Sequence, residues 1–171
     1  MENIKPPEVW LRGPHPGVPE LLQPVAHCLL QAREEVIELM VDFPEELLWE
    51  KPGGLASPGF HLQHLTGVLN RPFTYAKGAE LSEDQFRYLK HEGLKTGSLF
   101  SLTRSFYEQV EDCIEALKKT DPGQLTETRY VGRAKIPSTT LGLLFHAAEH
   151  TTRHLGQLLV TVKTLNSKAS S

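Results

Sequence analysis

The chain has 171 residues, 39% of them hydrophobic, and a formal net charge of −3, so we expect one globular domain over residues 1–171 with peripheral tails at 1–16 and 166–171. No apolar run approaches the ~18 residues that a membrane span needs, and prolines stand near the start where a signal peptide needs an apolar core, which predicts a cytoplasmic protein. No run of Lys or Arg is present to neutralise phosphates, so we expect a small molecule rather than nucleic acid as partner.

Two long helices are predicted in the first half of the chain. The first covers residues 19–42, where apolar side chains recur every three or four positions. The second follows a turn rich in Gly and Pro and continues to about residue 78, with Ser57 as its N-cap and Pro58 in its first position. Pro72 lies inside this second helix and is expected to kink it.

Two further helices are predicted before residue 120. Ser82 precedes a run of acidic residues and caps a short helix over residues 82–92. A third long helix covers residues 98–119 and ends at a TDPG turn. The segment that follows, residues 126–138, is expected to be extended or looped.

The fourth long helix continues to about Thr164 and begins at one of three candidate caps, Ser138, Thr139 or Thr140. The chain shows no convincing alternation of apolar and polar residues that would indicate strands. Four long helices with loops between them predict an all-α fold, an antiparallel four-helix bundle. The interior of such a bundle is a usual place for metal sites.

Three histidines stand four residues apart in the last predicted helix, in the stretch HAAEHTTRHLGQL. Residues four apart lie on one helical face with Cβ atoms roughly 6 Å apart, so two imidazoles can bind one cation. His146 and His154 are separated by about 12 Å of helical rise, so one ion takes two of the three. The apolar stripe turns His150 and His154 inward. His146 faces outward, on the side of Glu149 and Arg153.

The second helix supplies two further histidines, His61 and His64, which lie on adjoining faces. The apolar positions of this helix place His61 nearer its buried centre. If the two helices meet, a third imidazole joins the pair from the last helix. Neutral imidazole suits zinc, nickel, copper or iron(II), and three protein ligands with one open position are typical of a catalytic site.

One competing pattern is H-x-x-E-H, which runs from His146 to His150 and is the motif of inverted zinc proteases. That class needs a further ligand, typically an acidic residue well downstream. No Asp or Glu follows Glu149, and the chain is too short for the class. We therefore disfavour a protease.

The two cysteines, Cys28 and Cys113, lie in separate predicted helices, and neither has a CxxC partner. Isolated thiols of this kind are typical of reduced core residues. We assign neither of them a role in the site.

The chain resembles the DinB/YfiT-like superfamily of metal-dependent proteins, in particular its DinB-like branch. The resemblance covers nearly the whole chain and is carried by FPEELLWEKPGG, SPGFHLQHLTGVLNRPFTYAKGAELSEDQ and VGRAKIPSTTLGLLFHAAEHTTRHLGQLL. It implies a four-helix bundle in which a histidine of the second helix and an H-x-x-x-H pair followed by x-G-Q bind a divalent metal ion.

Carried over to this sequence, the implied ligands are His64, His150 and His154, with one ion per chain, zinc or nickel. The resemblance therefore selects His64, whereas helical geometry alone selects His61. Four residues are expected to flank the ligands without binding the ion: His61, His146, Glu149 and Arg153.

The resemblance also bears on chemistry, because some members are similar to thiol-dependent transferases and isomerases and others to metal-dependent hydrolases. A low-molecular-weight thiol is therefore an expected cosubstrate. Arg71 and Tyr75 follow His64 on nearly the same helical line, so we expect them to hold an anionic substrate or the thiol. The alternative is a surface arginine and a packed tyrosine.

Two functions are consistent with these residues. The first is a metal-dependent enzyme that activates a thiol or water to transfer or hydrolyse a small substrate, because three ligands leave one position open. The alternative is a noncatalytic metal-binding or stress-related interaction protein. In either case we expect a homodimer, because Leu143 and Leu165 lie beyond the main apolar stripe of the last helix.

Overall fold

The computed structural model describes residues 6–169, with side chains through residue 167. Its helices and strands are, in chain order, α1 (Gln23–Met40), α2 (Pro58–Ala76), α3 (Glu83–His91), α4 (Leu99–Lys118), β1 (Thr128–Val131), β2 (Ile136–Thr139) and α5 (Thr140–Ala169). Short 3-10 helices lie at Val9–Arg12, Glu20–Leu22, Glu45–Leu47, Pro52–Gly54 and Pro122–Gln124. Within the described range, no helix is both long enough and apolar enough to cross a membrane.

Serine caps begin three of the helices where the sequence predicts them. The Ser57 hydroxyl accepts the N–H of Phe60 at 3.2 Å, which satisfies one of the unpaired donors at the start of α2. Ser82 and Gln85 form a reciprocal capping box at α3, and Ser98 begins α4 in the same way. The predicted starts of these three helices are confirmed.

One helix, α5, extends beyond its predicted end, and another runs through an internal proline as one helix. The N-terminus of α5 is capped by the Thr139 hydroxyl, which accepts the N–H of Gly142 at 3.0 Å. This helix continues to Ala169 rather than ending near residue 164. The other is α2, which continues past Pro72 to Ala76.

A β-hairpin joins α4 to α5, where the sequence predicts only an extended or looped segment. β1 and β2 pair antiparallel, with Thr128 opposite Thr139 and Val131 opposite Ile136. Neither strand has a buried residue, and neither alternates apolar with polar side chains, so the sequence carries no strand signal here. The all-α prediction needs this correction, although most of the described chain is helical.

The hairpin positions the start of α5. The Arg129 side chain donates from Nε to the carbonyl of Ala76 at 2.9 Å, which ties β1 to the end of α2. The Thr140 N–H donates to the carbonyl of Glu127 at 3.1 Å, so a donor of the first turn of α5 is paired outside the helix. The hairpin thus holds the end of α2 beside the start of α5.

The four long helices share one hydrophobic core. α1 and α2 each pack against both α4 and α5, and α3 packs on α2. Large, fully buried side chains come from every long helix: Leu29, Val36, Leu62, Leu65, Leu69, Phe106, Val110, Leu117, Leu144 and Leu158. Burying one such side chain stabilises the fold by about 1.5–3 kcal/mol, so the core is the main source of stability.

The described part of the predicted N-terminal tail packs on α1. Val9 is buried, and its N–H donates to Gln31 Oε1 at 2.8 Å. The Arg12 guanidinium donates to both oxygens of the Glu34 carboxylate, at 2.6 and 2.8 Å. Residues 1–5 of this tail, and residues 170–171 of the C-terminal one, lie outside the described residues.

Leu143 and Leu165, which the sequence places beyond the apolar stripe of α5, are 5% and 6% exposed and belong to the core. Leu143 and Leu165 are therefore not available for a dimer contact, and that part of the prediction is wrong. The reason is that α5 packs against both α1 and α2, so its buried face is wider than one stripe. Homodimerisation itself stays a prediction.

The cysteines occupy different environments. Cys113 is buried as expected, and burial raises the pKa of its thiol to about 12. Cys28 is exposed, so the expectation of a core residue is wrong for it. Both thiols are free.

Gly59→Ala is expected to destabilise the fold. A Cβ at Gly59 would lie 2.7 Å from the indole ring of Trp49, and the Gly59 N–H already donates to the carbonyl of Leu48 at 2.7 Å. Because Trp49 packs against the core, the crowding should cost about 1–3 kcal/mol. Urea unfolding followed by circular dichroism measures the loss.

The matched control is Gly156→Ala on α5, where an added Cβ meets nothing within 4 Å. Alanine has the higher helix propensity, so this substitution should stabilise by up to about 1 kcal/mol. Equal effects of the two substitutions would contradict the packing argument at Trp49.

Candidate metal centre

Three imidazoles from two helices meet at one point. His64 comes from α2, His150 and His154 come from α5, and one nitrogen of each lies within 4.8 Å of the others. The Nε2 atoms of His64 and His150 are 3.1 Å apart. Two ligands of a tetrahedral zinc ion, each about 2.0–2.1 Å from it, stand about 3.3 Å apart. The three side chains therefore fit one ion.

Helix packing brings these imidazoles together. The four-residue spacing places His150 and His154 on one face of α5, with stacked rings whose centroids are 4.7 Å apart. That face meets α2, where the ring centroid of His64 lies 4.3 Å from that of His154. The site is thus built on helices and not on loops.

A buried carboxylate orients His64. Oε2 of Glu92 lies 2.7 Å from His64 Nδ1, and the Glu92 side chain is only 6% exposed. Because an ionised carboxylate only accepts hydrogen bonds, Nδ1 carries the proton and Nε2 keeps the lone pair, on the side of His150. Phe60 stacks on the His64 ring at 5.3 Å between centroids. Metal-binding histidines commonly have such a carboxylate partner.

Arg71 holds the same carboxylate from its other side. Its Nη1 donates to Glu92 Oε1 at 2.6 Å, and its side chain is 12% exposed. A Cβ at Gly67, one turn away on α2, would collide with both Glu92 and Arg71. The ion pair therefore occupies space that exists because residue 67 is a glycine.

Tyr75, the other residue predicted to hold substrate, packs against the hydrophobic core. No described contact of the three clustered histidines involves it. Substrate binding by Arg71 and Tyr75 stays a prediction.

His61 lies next to His154 but is not one of the three clustered histidines. It is 3% exposed, which confirms that it is nearer the apolar centre of α2 than the half-buried His64. Its Nδ1 is 3.3 Å from His154 Nδ1. Burial, and then the neighbouring His64, lower the pKa of His61 to about 4. The structure therefore groups His64, rather than His61, with the pair on α5.

The paired histidines of α5 are neutral at neutral pH. Burial is the largest cause of the lowered pKa of His154, which falls to about 4, and the neighbouring His64 is the next. Burial, followed by His64, also lowers the pKa of His150. Neutral imidazoles are the form that binds a metal ion.

His146, Glu149 and Arg153 surround the solvent side of the cluster. The Arg153 side chain donates to the Glu149 carboxylate, which holds the pKa of that carboxyl below its usual range. His146 Nδ1 lies 3.7 Å from Glu149 Oε2, and its side chain is 53% exposed. These residues lie next to His150 and outside the group of three imidazoles, as predicted for His146.

Glu92 and Gly67 are the residues of the site that sequence reasoning missed. Glu92 lies 28 residues after His64, beyond the end of α3, and no local pattern links the two. The only signal for Gly67 was a glycine in a helix interior, where glycine is disfavoured unless packing requires it.

The family model described as the DinB superfamily matches residues 29–158 of the chain. The match covers well over half of the sequence and contains the three clustered histidines, together with Glu92. A search of curated proteins found no match.

Glu92→Gln is expected to weaken divalent-metal binding about 10- to 100-fold, because a neutral amide holds the Nδ1–H of His64 less strongly than a carboxylate. Gly67→Ala should act in the same direction, because its Cβ displaces the Glu92–Arg71 pair. Competition with a coloured chelator measures zinc and nickel affinity in each variant. Glu108→Gln, which breaks an exposed ion pair on α4, is the control. Affinities equal to wild type in both site variants would refute the role of Glu92.

Proposed function

This chain belongs to the DinB superfamily, and on that premise we propose that His64, His150 and His154 bind one divalent metal ion, zinc or nickel. The protein is then a metal-dependent enzyme that activates a low-molecular-weight thiol or a water molecule. It transfers the thiol to a small substrate or hydrolyses that substrate. The observation that carries the proposal is the convergence of three imidazoles from α2 and α5.

The proposed scaffold is an antiparallel four-helix bundle made of α1, α2, α4 and α5. It is supported by the contacts of α1 and α2 with both α4 and α5. In such a bundle, ligands on facing helices project into a shared interior. The histidines of α2 and α5 have this relation to each other.

The donor set supports zinc or nickel over magnesium or calcium. Imidazole nitrogen suits zinc, nickel, copper and iron, whereas magnesium and calcium prefer oxygen ligands. The one carboxylate among the described contacts of His64 bonds to its Nδ1, on the side away from His150. Glu92 therefore acts on the ligand and leaves three nitrogens for the ion.

Catalysis rather than a structural role is supported by the number of ligands. Among the described residues, the group comprises three side chains, and a structural zinc site usually has four. A divalent ion bound by three imidazoles lowers the pKa of a thiol or water at its open position toward neutrality.

The chain's own residues prepare the site in three ways. Glu92 holds the proton on Nδ1 of His64, which keeps the Nε2 lone pair available. Arg71 donates to Glu92 and offsets the cost of burying its charge. Phe60 covers one face of the His64 ring and restricts its rotation.

Single alanine replacements at the histidines test the ligand set. His64→Ala, His150→Ala and His154→Ala should each abolish stoichiometric metal binding at micromolar concentration, because loss of a ligand costs several kcal/mol of binding free energy. His61→Ala should weaken affinity only about 10- to 100-fold, because its side chain contacts His154 without joining the group. Elemental analysis after dialysis, together with chelator competition, measures both effects. If His61→Ala empties the site and His64→Ala does not, the ligand assignment is wrong.

Thiol chemistry is tested on the metal-loaded protein. Conjugation of a low-molecular-weight thiol to an electrophile, or hydrolysis of an ester or amide, should be faster with metal-loaded protein than with metal-free protein. The rate of metal-loaded His146→Ala should match that of metal-loaded wild type. A panel of thiols and electrophiles followed by mass spectrometry detects the products. Equal rates with and without metal across the panel would favour the noncatalytic metal-binding alternative.

A further inference from the structure

We propose that His146, Glu149 and His150 form an outer cation site that loads the inner site through the shared His150. The proposal rests on the proposed function, because the inner site is the three-histidine site described there. The outer site then lies on the route by which the ion arrives and leaves.

The outer residues lie on a single stretch of α5 with ligand spacing. One nitrogen or carboxylate oxygen of each of His146, Glu149 and His150 lies within 4.8 Å of the others. The rings of His146 and His150 are 5.2 Å apart between centroids. Three side chains of metal-binding type therefore form a second group, and His150 belongs to both groups.

The solvent exposure of the side chains decreases from the outer group to the inner group. The side chains of His146 and Glu149 are 53% and 37% exposed, whereas that of His64 is 18% exposed. A hydrated ion can therefore meet the outer residues first. The inner imidazoles, held between α2 and α5, are reached after part of the water shell is lost.

The two nitrogens of His150 have different surroundings. Nε2 lies 3.1 Å from His64 Nε2, whereas Nδ1 is buried and has no hydrogen-bond partner among the described residues. A buried polar atom without a partner is costly, and a bound ligand would satisfy it.

A neutral imidazole offers a lone pair on one nitrogen at a time. His150 therefore serves the outer group or the inner group, and the two sites hold an ion alternately. Occupancy stays at one ion per chain, and the shared side chain passes the ion between them.

The Arg153 side chain donates to the Glu149 carboxylate. The side chains of Arg153 and Glu149 are 52% and 37% exposed, and ion pairs open to solvent contribute little to stability. An arriving cation can replace the guanidinium at small cost. A carboxylate in this outer group attracts cations, whereas the buried carboxylate of Glu92 is already paired with Arg71.

The experiment compares the rates of ion exchange in wild type and His146→Ala. Metal-free protein is mixed with Zn²⁺ and a fluorescent zinc indicator in a stopped-flow instrument, and release is followed after addition of excess chelator. We expect His146→Ala to slow uptake and release by the same factor, about tenfold, with unchanged equilibrium occupancy. Equal slowing in both directions is the signature of a lost intermediate on the route.

Two controls separate loading from charge attraction. His146→Ala leaves every Asp, Glu, Lys and Arg in place, so loss of a carboxylate that attracts the cation cannot account for slowing. Glu108→Gln removes an exposed carboxylate on α4 and should leave the rates within about twofold of wild type. Arg153→Gln frees the Glu149 carboxylate and should speed uptake.

A second measurement detects the outer site directly. The double variant His64→Ala/His154→Ala keeps the outer group and should bind Zn²⁺ weakly, and adding His146→Ala should remove that binding. Circular dichroism confirms that the variants fold. Wild-type rates in His146→Ala would overturn the loading site alone, whereas a wild-type protein that binds no ion would overturn the proposed function as well.

Discussion

The packing of α2 against α5 is the contact on which the candidate site depends. His64 lies within α2, and His150 and His154 lie within α5, so the cluster exists only while these helices keep their relative position. Buried leucines of both helices, among them Leu65 and Leu144, hold that position. The same packing keeps imidazoles away from water, which is why burial is the main cause of their lowered pKa values.

The short helix α3 has no buried residue, yet it has a clear role in positioning Glu92. It ends where Glu92 reaches back to α2, and Gly93 N–H donates to Gln63 Oε1 at 2.7 Å. The Tyr88 hydroxyl also donates to the Gln63 carbonyl, at 2.9 Å. Polar contacts therefore hold α3 on α2. They make it possible to bury the Glu92 carboxylate, whose desolvation is offset by Arg71 and His64.

Local patterns in the sequence were enough to predict the helices and two of the three clustered histidines. Ser57, Ser82 and Ser98 mark helix starts because a cap bonds to backbone only three residues away. His150 and His154 share a face because a helix repeats about every 3.6 residues, whatever surrounds it. The hairpin before α5 escaped prediction because its short strands bury nothing and so carry no alternating pattern.

What only the tertiary structure decided is how side chains from distant parts of the chain meet. Helical geometry correctly made His61 the more buried residue of α2, whereas the family resemblance selected His64. The rotation of α2 against α5 is what brings the imidazole of His64 to the pair. Leu143 and Leu165 lie in the core because α5 packs against more than one neighbouring helix. The sequence by itself determined the helices and the α5 histidine pair, because both depend on spacing along one helix. The contact between Glu92 and His64 depends on how separate segments of the chain pack together. The spacing of residues along the chain does not determine that packing.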